Sequence, residues 1–155
     1  MRLRWSLLGV LAVILGAAGL WRAAVPEGGA SGAAPAQPIV ISNAYVRAPA
    51  APSRNAAAYF TVTNLGGSPD RLLSAASGAG ESTVLHVAGM NLAADGVVIP
   101  AHKRLVLRAG QGHVMIENVF GTLRAGDNVN LSLTFQKAGT LEVDAPVIAA
   151  NASAP

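Results

Sequence analysis

The chain contains no cysteine. That absence excludes a disulfide-stapled scaffold, covalently attached c-type haem, a cysteine-ligated zinc site and a blue-copper centre. Charged residues make up only 12% of the sequence and aromatic residues 5%. Beyond the N-terminal segment no basic cluster exceeds the pair Lys103-Arg104, and with few aromatics beside it nucleic-acid binding has little support. The excess of base, 11 Lys plus Arg against 8 Asp plus Glu, belongs to the first 22 residues, which carry Arg2, Arg4 and Arg22. Without them the charges balance. Enzyme constellations are missing as well. No paired carboxylates flank a motif, Ser, His and Asp fall in no convincing catalytic order, and no glycine-rich phosphate loop follows a strand.

At the N-terminus, Leu7 to Trp21 are nearly all apolar and are bracketed by Arg2, Arg4 and Arg22. This pattern reads as an export signal. The run of about 15 residues is short of the roughly 20 that span a bilayer. No clean Ala-x-Ala cleavage site follows it, so residues 1–22 are read either as a cleaved signal peptide or as a retained membrane anchor. Residues 23–38, rich in Ala, Gly, Pro and Ser, lack the large apolar groups needed to offset the entropy of ordering and read as a flexible linker. Residues 149–155 read as a disordered tail, leaving one working domain over residues 39–148.

Within that domain the apolar pattern is short and period-two, and turn residues punctuate it, as in Asn64-Leu-Gly-Gly-Ser-Pro69, Ala109-Gly-Gln-Gly112 and Arg124-Ala-Gly-Asp127. Such spacing predicts eight or nine strands over residues 39–47, 57–64, 71–76, 83–87, 97–99, 104–107, 113–117, 128–135 and 141–147. The fold class is therefore all-β, a sandwich or Greek-key barrel.

Apart from Met1 the chain has two methionines, and each lies beside a histidine, in His86-Val-Ala-Gly-Met90 and His113-Val-Met115. A lone His on a strand is ordinarily a hydrogen-bonded structural residue and a lone Met a core filler. Here four of the five His and Met residues of the domain fall into two such clusters. Leu, Val and Ala already supply the core. Imidazole nitrogen and thioether sulfur together select a soft metal, copper(I) above all. His113 and Met115, two apart on a predicted strand, leave the same face and stand about 7 Å apart along it. His86 closes another predicted strand, and Ala88-Gly89 gives a bend that returns Met90 toward it. The candidate metal ligands are thus His86, Met90, His113 and Met115. His102, between Pro100 and the cations Lys103 and Arg104, is read as a surface residue outside the site.

The segments Asn43-Ala-Tyr-Val-Arg-Ala48, Ala56-Ala-Ala-Tyr-Phe-Thr-Val-Thr-Asn64, Leu85-His86, Asp95-Gly-Val-Val-Ile-Pro100, Gly112-His-Val-Met115, Leu123-Arg-Ala-Gly-Asp127 and Leu131-Ser-Leu-Thr-Phe-Gln-Lys-Ala-Gly139 resemble the periplasmic copper chaperones of the PCuAC type. The resemblance covers nearly the whole of residues 41–147. It implies a cupredoxin-like β-sandwich and a periplasmic carrier of copper(I), not an enzyme; the chain is read as a monomer. Its implied partner is the apo copper subunit of cytochrome c oxidase or another periplasmic copper carrier. The family motif is a His, a Met about a dozen residues on, and then His-x-Met after about twenty more. His86 matches the first His, and His113 and Met115 match the closing pair. Met90 is followed by 22 residues before His113, which fits a ligand on a contracted loop; otherwise it is a non-ligating Met and three protein donors remain. Two other classes stay open, an exported sandwich module for protein interaction without a metal and an electron-transfer or small enzymatic copper protein. The missing cysteine and the filled ligand set disfavour the second.

Overall fold

The computed structural model describes residues 38–87 and 91–155. The expected signal segment, nearly all of the expected linker, and Met90 lie outside the described residues. Among those described there is no helix. Ten strands follow one another as β1 (Ile39–Arg47), β2 (Ala56–Asn64), β3 (Asp70–Ala76), β4 (Gly80–Val87), β5 (Asn91–Leu92), β6 (Val97–Ile99), β7 (Arg104–Leu107), β8 (His113–Val119), β9 (Asn128–Phe135) and β10 (Gly139–Ile148).

The strands join in the order β5-β4-β8-β2-β1-β10-β9-β3-β6, and β7 pairs with the second half of β2. All pairings are antiparallel except β1 with β10, where Val46 lies beside Val147 and Arg47 beside Ile148. That short parallel seam joins the two halves of the ladder. The core between them is built by alternation, with Ala56, Ala58, Phe60 and Val62 of β2, Val114 and Ile116 of β8, and Val129, Leu131, Leu133 and Phe135 of β9 all buried. Removing this apolar surface from water, at about 25 cal/mol per Å2, is the chief stabilising term.

Two buried polar side chains fasten the loops at one end. Asp70, 2% exposed, accepts the backbone N–H groups of Arg71, Lys137 and Ala138 at 2.7, 2.9 and 3.0 Å. Asn64 donates to the carbonyls of Ser68 and Ile99 and accepts from the Gly66 N–H. Their partners are complete, as burial requires. At the C-terminus the Arg47 guanidinium donates to the carbonyls of Ala150 and Ala152.

β4 begins three residues before the expected position. Gly80, ahead of the expected strand, is in the ladder opposite Val119, and a side chain there would meet the Glu117 carbonyl and Ile116. The glycine permits close approach rather than a bend. β5 has only two residues, too few to carry a periodic signal. Both additions leave the expected all-β class intact.

Candidate metal centre

β4 and β8 run antiparallel with His86 directly opposite His113 and Val84 opposite Met115. Opposed residues in such a pair project to the same face. Because Val114 and Ile116 point into the core, His113 and Met115 project to the other side, and His86 joins them. The His86 and His113 rings lie 5.1 Å apart between centroids and are tilted by 47°. A metal sits about 2 Å beyond a ligating ring nitrogen, so one ion can be shared at this separation. Met115, two residues along β8 from His113, brings its sulfur to the same surface. Thus three of the four sequence-predicted donors share one sheet face, drawn from segments 27 residues apart in the chain. The fourth, Met90, is outside the described residues, and His102 is exposed in the turn before β7, apart from this register.

The electrostatics suit a neutral donor set. Burial, and then the neighbouring His86, push the His113 pKa below its ordinary value of 6.5, keeping a ring lone pair free at neutral pH. His86 Nδ1 is buried with no hydrogen-bond partner. An orphaned buried polar atom costs about 1–3 kcal/mol, and coordination to a metal would satisfy it. Among the described residues no three His, Asp or Glu side chains gather closely enough to hold an ion. The imidazole pair therefore has no carboxylate beside it to favour a harder metal, and the thioether is the remaining donor.

Sequence reasoning did not assign a role to the tyrosines that continue the row. Tyr59 of β2 lies 6.0 Å from the His113 ring, and Tyr45 of β1 stacks on Tyr59 at 5.1 Å. A bulge between Ser42 and Tyr45 makes this possible. The extra residue, with Asn43 in the left-handed region at φ 52°, shifts the parity of β1 so that Tyr45 faces outward with Tyr59 instead of into the core. Burial raises the Tyr59 hydroxyl pKa, opposed by the charge and hydrogen bond of Arg47. The tyrosines wall the imidazole pair on the β2 side. Beside His113 a cleft of about 200 Å3 opens, lined by Tyr59, Val87 and the turn Ala109–Gly112. It gives a second molecule's side chain a route to the ring.

A profile described as "Putative lipoprotein LpqE-like" matches residues 39–147. The chain belongs to the LpqE-like family. A protein of Leifsonia xyli subsp. xyli described as "Putative lipoprotein Lxx21020" is 30% identical over 145 residues, covering 89% of this chain and 86% of its own length. Among solved structures, the copper-bound PCuAC domain from PmoF2 is 30% identical with a TM-score of 0.64, over 72% of this chain and 92% of that domain. CuI-DR1885 from Deinococcus radiodurans is 28% identical with a TM-score of 0.60, over 79% of this chain and 84% of its own. The LpqE-like family is of the PCuAC type, and this member shares the cupredoxin-like β fold of the copper-chaperone domains.

Proposed function

We propose that this LpqE-like protein is an exported copper(I) carrier, working in the periplasm or at the outer face of the membrane, that holds the ion through His86, His113 and Met115 with Met90 as a fourth donor. The observation that carries this reading is the direct opposition of His86 and His113 across β4 and β8, 5.1 Å apart, with Met115 on the same face. Solved relatives with the same fold, one titled as copper-bound and one as CuI, support it, and the lipoprotein description of the family supports export.

Copper here is cargo. Two imidazole nitrogens and thioether sulfur stabilise the monovalent ion without the disulfide chemistry open to a thiol outside the cytoplasm. The donors sit on an outward sheet face, His86 one short strand from the edge and His113 and Met115 on the next strand in, and the cleft beside His113 lets an acceptor's donors enter before all of the carrier's have left. Stepwise exchange of this kind is transfer without redox turnover. The acceptor in this reading is an apo copper subunit of cytochrome c oxidase.

Competition against a chromophoric copper(I) chelator tests the site. His113→Ala and Met115→Ala are expected to weaken binding at least tenfold, about 1.4 kcal/mol, with the far-ultraviolet β signal retained. Met90→Ala is expected to weaken it as well. Unchanged affinity in that variant reduces the site to three protein donors. No copper(I) binding by the wild-type domain would instead favour an interaction module. Loss of the ion to an apo oxidase subunit on mixing, with no redox change, checks the transfer step.

A further inference from the structure

Met115 has little around it in its own ladder to fix its thioether. Its register partners are Ala57 on β2 and Val84 on β4, one too small and neither polar. The polar contact comes from outside the ladder. The Asn55 Nδ2 atom lies 3.6 Å from the Met115 sulfur, within reach for a weak hydrogen bond to a thioether acceptor.

The orientation of that amide follows from its other neighbour. The Asn118 backbone N–H, which can only donate, meets Asn55 Oδ1 at 3.1 Å. The oxygen must therefore face Asn118, and the NH2 group is left to face the sulfur. Asn118 holds a left-handed φ of 47°, a conformation asparagine adopts more readily than most residues. Its own side chain donates to Glu81 Oε2 at 2.9 Å. The segment bearing Asn55 is clamped as well. Its N–H donates to Ser53 Oγ at 3.0 Å. Next to it the Arg54 carbonyl accepts the Val119 N–H at 2.9 Å, and the Arg54 guanidinium donates to the Val119 carbonyl at 3.0 Å. A chain of contacts thus runs from Glu81 through Asn118 and Asn55 to the sulfur.

We propose that Asn55 is a positioning residue for the Met115 thioether, occupying one sulfur lone pair so that the other is directed at the ion between the imidazoles. This rests on the reading of Met115 as a copper(I) donor. A flexible methionine otherwise spreads over many rotamers, and a ligand whose outer partner is lost typically binds its metal about 10–100-fold less tightly. Because a thioether favours copper(I) while imidazoles also hold copper(II), the contribution of Asn55 is specific to the lower oxidation state.

The test compares full-length protein with Asn55→Leu, alone and combined with Met115→Ala, using copper(I) and copper(II) separately as probes. Asn55→Leu is expected to weaken copper(I) about tenfold, to leave copper(II) binding nearly unchanged, and to have no further effect once Met115 is Ala. In the metal-free protein the Met115 methyl carbon resonance is expected to move toward the value of a freely rotating methionine. Asn55→Asp, which keeps the acceptor for the Asn118 N–H, gives the same methyl shift with the fold secured. Equal weakening of both oxidation states, or an unmoved methyl resonance in both variants, overturns the proposal and leaves Asn55 a purely structural residue. If Met115→Ala weakens copper(I) and Asn55→Leu does not, the positioning role alone fails. If Met115→Ala itself is without effect, the donor assignment fails with it.

Discussion

Gly112 offers the sharpest link between packing and the imidazole pair. It precedes His113 and is buried where the β7–β8 turn passes the end of β4. A Cβ built there would lie 2.9 Å from the His86 carbonyl oxygen, 3.1 Å from a Leu107 methyl and 3.4 Å from the Val87 Cα. Ordinary contact begins near 3.5 Å, so in Gly112→Ala the end of β4 must retreat by about half an ångström, and backbone cannot swing aside as a side-chain tip does. Overpacking of this kind costs about 1–3 kcal/mol. At about 4 °C per kcal/mol for a domain of this size, the melting temperature should fall by roughly 4–12 °C. The retreat also carries His86 away from His113. Since a binding constellation tolerates misplacement of only about 0.5 Å, copper(I) affinity should fall severalfold or more. Circular dichroism melts and chelator competition read the two effects. Gly78→Ala is the control, because nothing lies within 4 Å of its added carbon, and its stability should hold or rise slightly. If Gly112→Ala behaves like Gly78→Ala in both assays, the close approach between turn and strand does not set the separation of the rings.

Two further outcomes follow from the same physics. Asp70→Ala strips the acceptor from three backbone N–H groups in a site 2% exposed; at about 1–3 kcal/mol per orphaned group, urea denaturation should show a loss of at least about 3 kcal/mol, and a loss below 1 would contradict the role assigned to this carboxylate. In the metal-free protein the lowered His113 pKa means that the unfolded chain binds more protons between that value and 6.5. Stability is therefore full above 6.5 and is lost as pH falls through the folded value. His113→Gln should flatten this part of the urea-midpoint profile, and a wild-type midpoint rising on acidification would refute the sign.

Most of the fold was legible because alternation is a local property. The strands at 39–47, 97–99, 104–107 and 128–135 were readable to the residue, and turn glycines separated them. What escaped reading depended on contacts distant in sequence. Gly80 offers no side chain to the alternation, and its place in the strand shows only in the close approach of Glu117 and Ile116, while Asn91–Leu92 becomes a strand only because His86 and Val87 pair with it. The same division holds at the site. His113 and Met115 share a face by period two alone, whereas the opposition of His86 to His113 depends on the β4–β8 register, which no local pattern encodes. Tyr45 reaches the outer face through the bulge at Asn43, and Asn55 reaches the Met115 sulfur across 60 residues. Nothing in an Arg-Asn dipeptide before a strand foretells that contact.

X-ray absorption at the copper edge of the copper(I)-loaded protein tests the central claim most directly, because it counts the neighbours of the ion by element. Two nitrogen neighbours near about 2 Å together with sulfur scattering that diminishes in Met115→Ala are the predicted result. A first shell of nitrogen and oxygen alone, unchanged when Met115 is replaced, would contradict it.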